Sequence, residues 1–219
     1  MKAAACEAFR VSREVFAQED TPGKGGGQRG RPPHVAGRPS RSGSSGWRAS
    51  SATGIGGSRA GAFTDFAAAR ATVIERMPGD VDAALKFLTA QATVNGRALG
   101  VVGGSCGVNQ AVHASRRHPE IRTIVLLSGG TDAEGEAHIK SSSSLPVFGA
   151  ASAEDTDAAA SIKKIVGLSA SSYSQLAMFE DAGHAASMFA RQPDLEADIV
   201  IWFRSNLPVA GYGLPPAIR

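Results

Sequence analysis

From about Thr64 onward, segments with helical spacing alternate with short, unbroken apolar runs. Phe66–Arg76 carries Phe66, Ala69, Val73 and Ile74 on one side, which predicts an amphipathic helix. Asp80 precedes a second predicted helix with a buried stripe of Val81, Ala84, Leu85 and Leu88, and Asp80 or Asp82 can cap its start. Asn95–Gly96 reads as a turn. Ala98–Val102 is a short apolar run ending in glycines and reads as a buried parallel strand. A helix is expected from Val108 to Arg117, stopped near Pro119. Ile121–Ser128 is the clearest strand, Leu145–Ala150 a third, and Gln175–Glu180 a fourth. Asp157–Val166 and Asp194–Asn206 read as helices. This alternation predicts the α/β class: a parallel sheet with covering helices.

The first sixty residues have a different texture. Residues 1–20 carry Phe9, Val15 and Phe16 at partial helical spacing and predict a short helix. Residues 21–60 are rich in Gly, Ser, Arg and Pro with almost no apolar run, and such a stretch is expected to stay disordered. The domain division is therefore a low-complexity segment over 1–60, a catalytic domain over 61–210 and a tail over 211–219.

Charge follows the same division. The net charge is +3. Residues 21–60 hold seven basic residues (Lys24, Arg29, Arg31, Arg38, Arg41, Arg48 and Arg59) and no acidic one. Taking those seven from 23 basic residues leaves 16 against 20 acidic, so the rest of the chain is mildly acidic. The basic segment lacks interleaved aromatics except Trp47, so nucleic-acid binding is not expected. No apolar run is long enough to cross a membrane. Charged residues interrupt the first twenty positions, so no signal peptide is read there. Cys6 and Cys106 match no disulfide framework or zinc spacing, and a reducing cytoplasm is the expectation.

Gly103-Gly104-Ser105-Cys106-Gly107 fits G-x-S-x-G, and it falls between a predicted strand and a predicted helix. A nucleophile on a sharp turn needs small residues two positions to each side, and Gly103 and Gly107 provide them. The Cys106 backbone N–H would face the developing oxyanion, aided by the N-terminus of the next helix. Centring the turn on Cys106 instead would put Gly104 and Val108 at those flanks. The geometry therefore centres on Ser105, and Cys106 reads as a small packing residue.

In such a site the acid and then the histidine follow the serine along the chain. Of five histidines, His34 precedes Ser105, His113 and His118 lie on the following helix, and His138 precedes the third strand. Only His184, in Asp181-Ala182-Gly183-His184, follows both a strand end and a candidate acid. Glu154, Asp155 and Asp157 follow the third strand. Asp155 has the best reach, and Glu154 is the second choice. These carboxylates could equally cap the next helix. Asp181 reads as a surface or supporting group.

Val101–Gly107, Pro146–Gly149 with Glu154-Asp155, and Gly183-His184 together resemble the elbow, acid and histidine segments of α/β-hydrolases, especially dienelactone-hydrolase-like esterases. Gly54-Ile55-Gly56-Gly57-Ser58 is similar to a glycine-serine loop of that family. The likeness covers roughly residues 54–207. It implies hydrolysis of small esters or related acyl bonds, without a metal or cofactor. It also implies several earlier strands and a His-Gly-like loop that supplies a second oxyanion N–H. Residues 1–53 show neither, and His34-Val35-Ala36-Gly37 is a faint echo without a strand before it. The sheet is thus expected to be incomplete, with the strand Ala98–Val102 at an uncharged edge that favours a homodimer or poor solubility. The alternative function is a non-catalytic binding protein on the same scaffold. A dinucleotide site fails, because Arg59 stands where Gly54-x-Gly56 requires a further glycine. The interval 129–144 is too short for a large cap domain, so an open site is expected.

Overall fold

The structure is a computed structural model that describes residues 13–19, 47–52, 66–92 and 94–207. Among these the sheet has six strands: β1 (Arg13–Glu19), β2 (Trp47–Ala52), β3 (Val94–Gly104), β4 (Ile121–Leu127), β5 (Val147–Ser152) and β6 (Gln175–Phe179). Their spatial order is β2-β1-β3-β4-β5-β6. β3 to β6 run parallel, while β1 is antiparallel to both β2 and β3. The helices are α1 (Phe66–Thr89), α2 (Gly107–Arg117), α3 (Ala133–Ser141), α4 (Thr156–Leu168), α5 (Met188–Arg191) and α6 (Asp194–Asn206). The predicted α/β class, a parallel sheet covered by helices, is the class observed.

Alternation along the strands builds two cores. Ile124 and Leu126 of β4 join Leu99 and Val101 of β3, and they pack with Val81, Leu85, Val108, Val112, Ile139, Ile162 and Ile165 from α1 to α4. Val125 and Leu127, one position out of step, join Val102 and Phe148 against Met188, Leu195, Ile199, Trp202 and Phe203. Sequential neighbours β3 to β6 connected by crossovers of one hand put α2, α3 and α4 on one face. That leaves the other face to α6. Each fully buried Leu or Ile contributes about 1.5–3 kcal/mol, so a one-residue slip of β4 would be prohibitive. One polar pair lies between the layers: the Trp202 indole donates to the Thr123 hydroxyl at 2.8 Å, which donates to the Pro146 carbonyl at 3.0 Å.

Several local expectations are corrected. The two helices predicted before residue 90 are one, because α1 continues through Pro78. Its buried stripe is Met77, Val81, Leu85 and Leu88, with Ile74 exposed; the side chains of Phe66, Ala69 and Val73 lie outside the described residues. Asn95–Gly96 is not a turn but belongs to β3, and the chain reverses one step earlier, where the Val94 amide donates to the Gln91 carbonyl. The interval after β4 contains α3, which sequence analysis does not predict. Its start is capped by Asp132, which accepts from the Gly135 amide, and that bond is the main cause holding the Asp132 carboxyl below its ordinary pKa. Ion pairs of Arg116 with Glu134 and of Lys164 with Glu136 tie α3 between α2 and α4. It is a covering helix, not a cap.

The larger correction concerns the first sixty residues. Arg13–Glu19 is a strand where a short helix is expected, and Trp47–Ala52 is a second strand inside the low-complexity segment. β1 pairs with β3 from Glu14↔Val102 to Ala17↔Leu99. The strand Ala98–Val102, expected at an edge, therefore has β1 beside it. Among the described residues the sheet's outer strands are β2 and β6. The rest of residues 1–60, with His34-Val35-Ala36-Gly37 and Gly54–Ser58, lies outside the described residues, as does the tail beyond 207. No helix among the described residues is long and apolar enough to cross a membrane.

Candidate active site

The three sequence-predicted residues all emerge at the carboxyl ends of parallel strands: Ser105 after β3, Asp155 after β5 and His184 after β6. That end of an open α/β sheet is where strand-to-helix turns converge.

Ser105 occupies the left-handed region, with φ at 53°. A non-glycine residue there costs about 1–2 kcal/mol, so the turn must be held by its surroundings. The Ser105 amide donates to the Leu127 carbonyl at the end of β4, 2.9 Å away, and the Ser105 carbonyl accepts from the Val108 amide at 3.0 Å. A Cβ at Gly103 would overlap the Gly107 carbonyl and lie 2.8 Å from the Ala111 methyl. Only glycine lets the strand end and the helix start pass so closely. Cys106, by contrast, sits in ordinary right-handed geometry (φ −60°, ψ −17°) as the N-cap of α2.

Asp155 and His184 meet. The imidazole Nδ1 lies 2.5 Å from Asp155 Oδ2, and the two side chains are 25% and 37% exposed. A proton carried on Nδ1 in this contact would leave Nε2 as the proton-accepting nitrogen. Although Asp155 occupies the N-cap position of α4, its side chain makes no capping bond there; it turns to His184 instead. The elbow and the histidine loop touch, since a Cβ at Gly104 would stand 3.3 Å from the Ala185 methyl carbon. The residue before Ser105 thus packs on the residue after His184.

The other candidates have different partners. Glu154 accepts from the Gly183 amide at 2.8 Å, and the Asp157 carbonyl receives the Ser161 hydroxyl within α4. Asp181 is exposed and pairs with Arg191. His113 bonds Asp132, and His118 bonds Asp82 and Glu120. His138 lies between Ser115 and Ser142; burial, and then Arg116 and His113, push its pKa below the ordinary value.

Sequence analysis misses Ser152 and Ser187. The Ser152 hydroxyl accepts from the Ala182 amide at 2.8 Å and donates to the Glu180 carbonyl at 3.3 Å. The Ser187 hydroxyl accepts from the His184 amide and donates to its carbonyl. Serine is too common in this chain for any spacing to have marked these two. A groove of about 330 Å³ between β6 and α6 is lined by Phe148, Leu176, Ile201 and Trp202, among others, but not by Ser105, Asp155 or His184. No group of three or more acidic, His or Cys side chains that could hold a metal occurs among the described residues.

Residues 81–189 match the family described as BAAT / acyl-CoA thioester hydrolase C terminal, and that span contains Ser105, Asp155 and His184. A dienelactone hydrolase-like promiscuous phosphotriesterase from metagenomic libraries superposes with a TM-score of 0.54 at 16% identity, covering 74% of this chain and 75% of that one. The chain has an α/β-hydrolase fold. No curated protein matches it significantly. The family match supports a hydrolytic activity. In the α/β-hydrolase fold the order serine, acid, histidine follows the strand ends in turn, which is the order found here.

Proposed function

We propose that the chain is a serine hydrolase that cleaves small carboxylic esters or related acyl bonds through an acyl-enzyme. Ser105 is the nucleophile, His184 the general base and then acid, and Asp155 the residue that orients His184. The observation that carries the reading is the left-handed turn at Ser105, together with the Asp155–His184 pair on the loop that packs against that turn. Ser105 Oγ attacks the acyl carbon and its proton passes to His184 Nε2. The tetrahedral oxyanion collapses, the alcohol or thiol leaves with that proton, and water repeats the sequence on the acyl-serine. The Cys106 amide, at the start of α2, is the proposed oxyanion donor, favoured by the positive end of the helix. The name of the matched family makes thioesters a natural second leaving-group class. α3 lies among the covering helices, which favours an open site for small or exposed acyl groups.

A fluorophosphonate probe tests the reading: its adduct is expected on the peptide containing Ser105, and a full-length chain that stays unlabelled would overturn it. Asp155→Asn is expected to lower kcat for a short-chain nitrophenyl ester by about 10⁴-fold, because the amide favours the wrong imidazole tautomer. Steady-state kinetics at neutral pH checks this, and a loss of less than tenfold would remove Asp155 from the triad.

A further inference from the structure

We propose that Glu154 is a positioning residue for the histidine loop, and that Arg191 holds Glu154 in that role. The inference rests on the triad reading above. Two adjacent carboxylates at the end of β5 reach two adjacent residues of the loop. Asp155 takes the His184 imidazole, and Glu154 takes the Gly183 amide at 2.8 Å.

The loop needs such a hold. Gly183 and Ala185, on either side of His184, both have positive φ, at 77° and 47°. A Cβ at Gly183 would come within 2.7 Å of the Ser187 hydroxyl, so the backbone there is pressed against its own helical turn. Ala185 in the left-handed region is a strained non-glycine residue, which local preference alone would relieve by opening the loop. Ser187 bonds only back to His184 itself, and so cannot fix the loop relative to the sheet. Ser152 anchors the loop two residues earlier, at Ala182. Glu154 holds the residue directly before His184.

Arg191, the last residue of α5, closes the arrangement. Its Nη1 donates to Asp181 Oδ1 at 2.5 Å and reaches Glu154 Oε1 at 3.4 Å. The guanidinium thus joins both ends of the segment 181–191 to the end of β5. These groups are 42% to 75% exposed, so the ion pairs themselves contribute little. The charge-assisted bond to the Gly183 amide is the stronger element.

The consequence is geometric. Without Glu154 the imidazole loses its fixed position against Asp155. A misplacement of about 1 Å costs on the order of 10²-fold in rate. Glu154→Ala is therefore expected to lower kcat by about 10- to 100-fold with KM nearly unchanged. Glu154→Gln keeps an oxygen that accepts from Gly183 and is expected to restore kcat to within about threefold of the native chain. Arg191→Met, an exposed change, is expected to give a loss of about two- to fivefold.

Hydrogen exchange reads the hold without reference to catalysis. The peptide over 181–187 should exchange faster in Glu154→Ala and in Arg191→Met, and at the native rate in Glu154→Gln. A Glu154→Ala chain with native kcat overturns the proposal, as does a Glu154→Gln chain as impaired as Glu154→Ala. Should Glu154→Ala fail to fold, Arg191→Met decides, and native kcat with native exchange overturns the proposal. Full activity in Ser105→Ala would instead remove the triad reading while leaving the exchange result standing.

Discussion

Ser105→Ala is expected to abolish ester hydrolysis, with a loss of about 10⁶-fold in kcat, whereas Cys106→Ala is expected to keep most of it. The two residues are neighbours and both carry nucleophilic atoms, so the prediction rests on backbone geometry. Ser105 holds the strained, left-handed position between β3 and α2, and its amide and carbonyl are both bonded within the turn. Strain of this kind persists where the surroundings over-determine it, and it concentrates at functional positions. Cys106 has relaxed helical angles and opens α2. Its proposed contribution is a backbone amide, which alanine retains. Turnover of a nitrophenyl ester by the two purified variants decides the matter. Loss in Cys106→Ala with retention in Ser105→Ala would transfer the nucleophile to the thiol.

The candidate site could be read from the sequence for a reason that the rest of the chain does not share. An elbow needs glycines at fixed offsets, and chain order restricts the acid and base to two short intervals. Ser105 and His184 then follow from very few residues. Asp155 was separable from Glu154 and Asp157 only by reach, and the structure shows Asp155 bonded to His184 and Glu154 to the adjacent amide. No residue pattern announces a carboxylate that serves a backbone N–H, which is why the role of Glu154 was hidden.

Among the elements, β4 was readable because Ile124–Leu127 is an unbroken apolar run that borders both cores. α3 was not, since only Gly135 and Ile139 of its nine residues are buried and two apolar contacts leave no period to detect. Pro78-Gly79 and Asn95-Gly96 are strong local punctuation signals. Tertiary packing overrode both: α1 runs through the first pair, and β3 begins before the second. β1 and β2 were the hardest. Arg13–Glu19 is flanked by charge, and Trp47–Ala52 has no apolar run, so only partners distant in sequence reveal them as strands.

That pairing sets the second large expectation. A chain that begins at residue 61 is expected to self-associate or aggregate. Removing β1 would uncover β3 from Leu99 to Val102, where β1 now supplies the antiparallel partner. From Ala98 to Gly107 the sequence has no charge and no proline, the two devices that commonly blunt an exposed strand edge. The side chains of Leu99, Val101 and Val102 are buried in the two cores, so the edge could not be rescued by turning polar groups outward. The freed N–H and C=O groups would pair with a second copy or with aggregating chains. Loss of β2 and β1 would also leave the covering of α1 over β3 at the margin of the sheet. Size-exclusion chromatography and thermal unfolding of residues 61–219 beside the full chain test this. The full chain should elute as the smaller species and melt cooperatively, while the truncated chain should elute as oligomer or void-volume material. A truncated chain that stays monomeric and melts at an ordinary mesophile temperature, about 45–65 °C, would show that β3 needs no partner on that side.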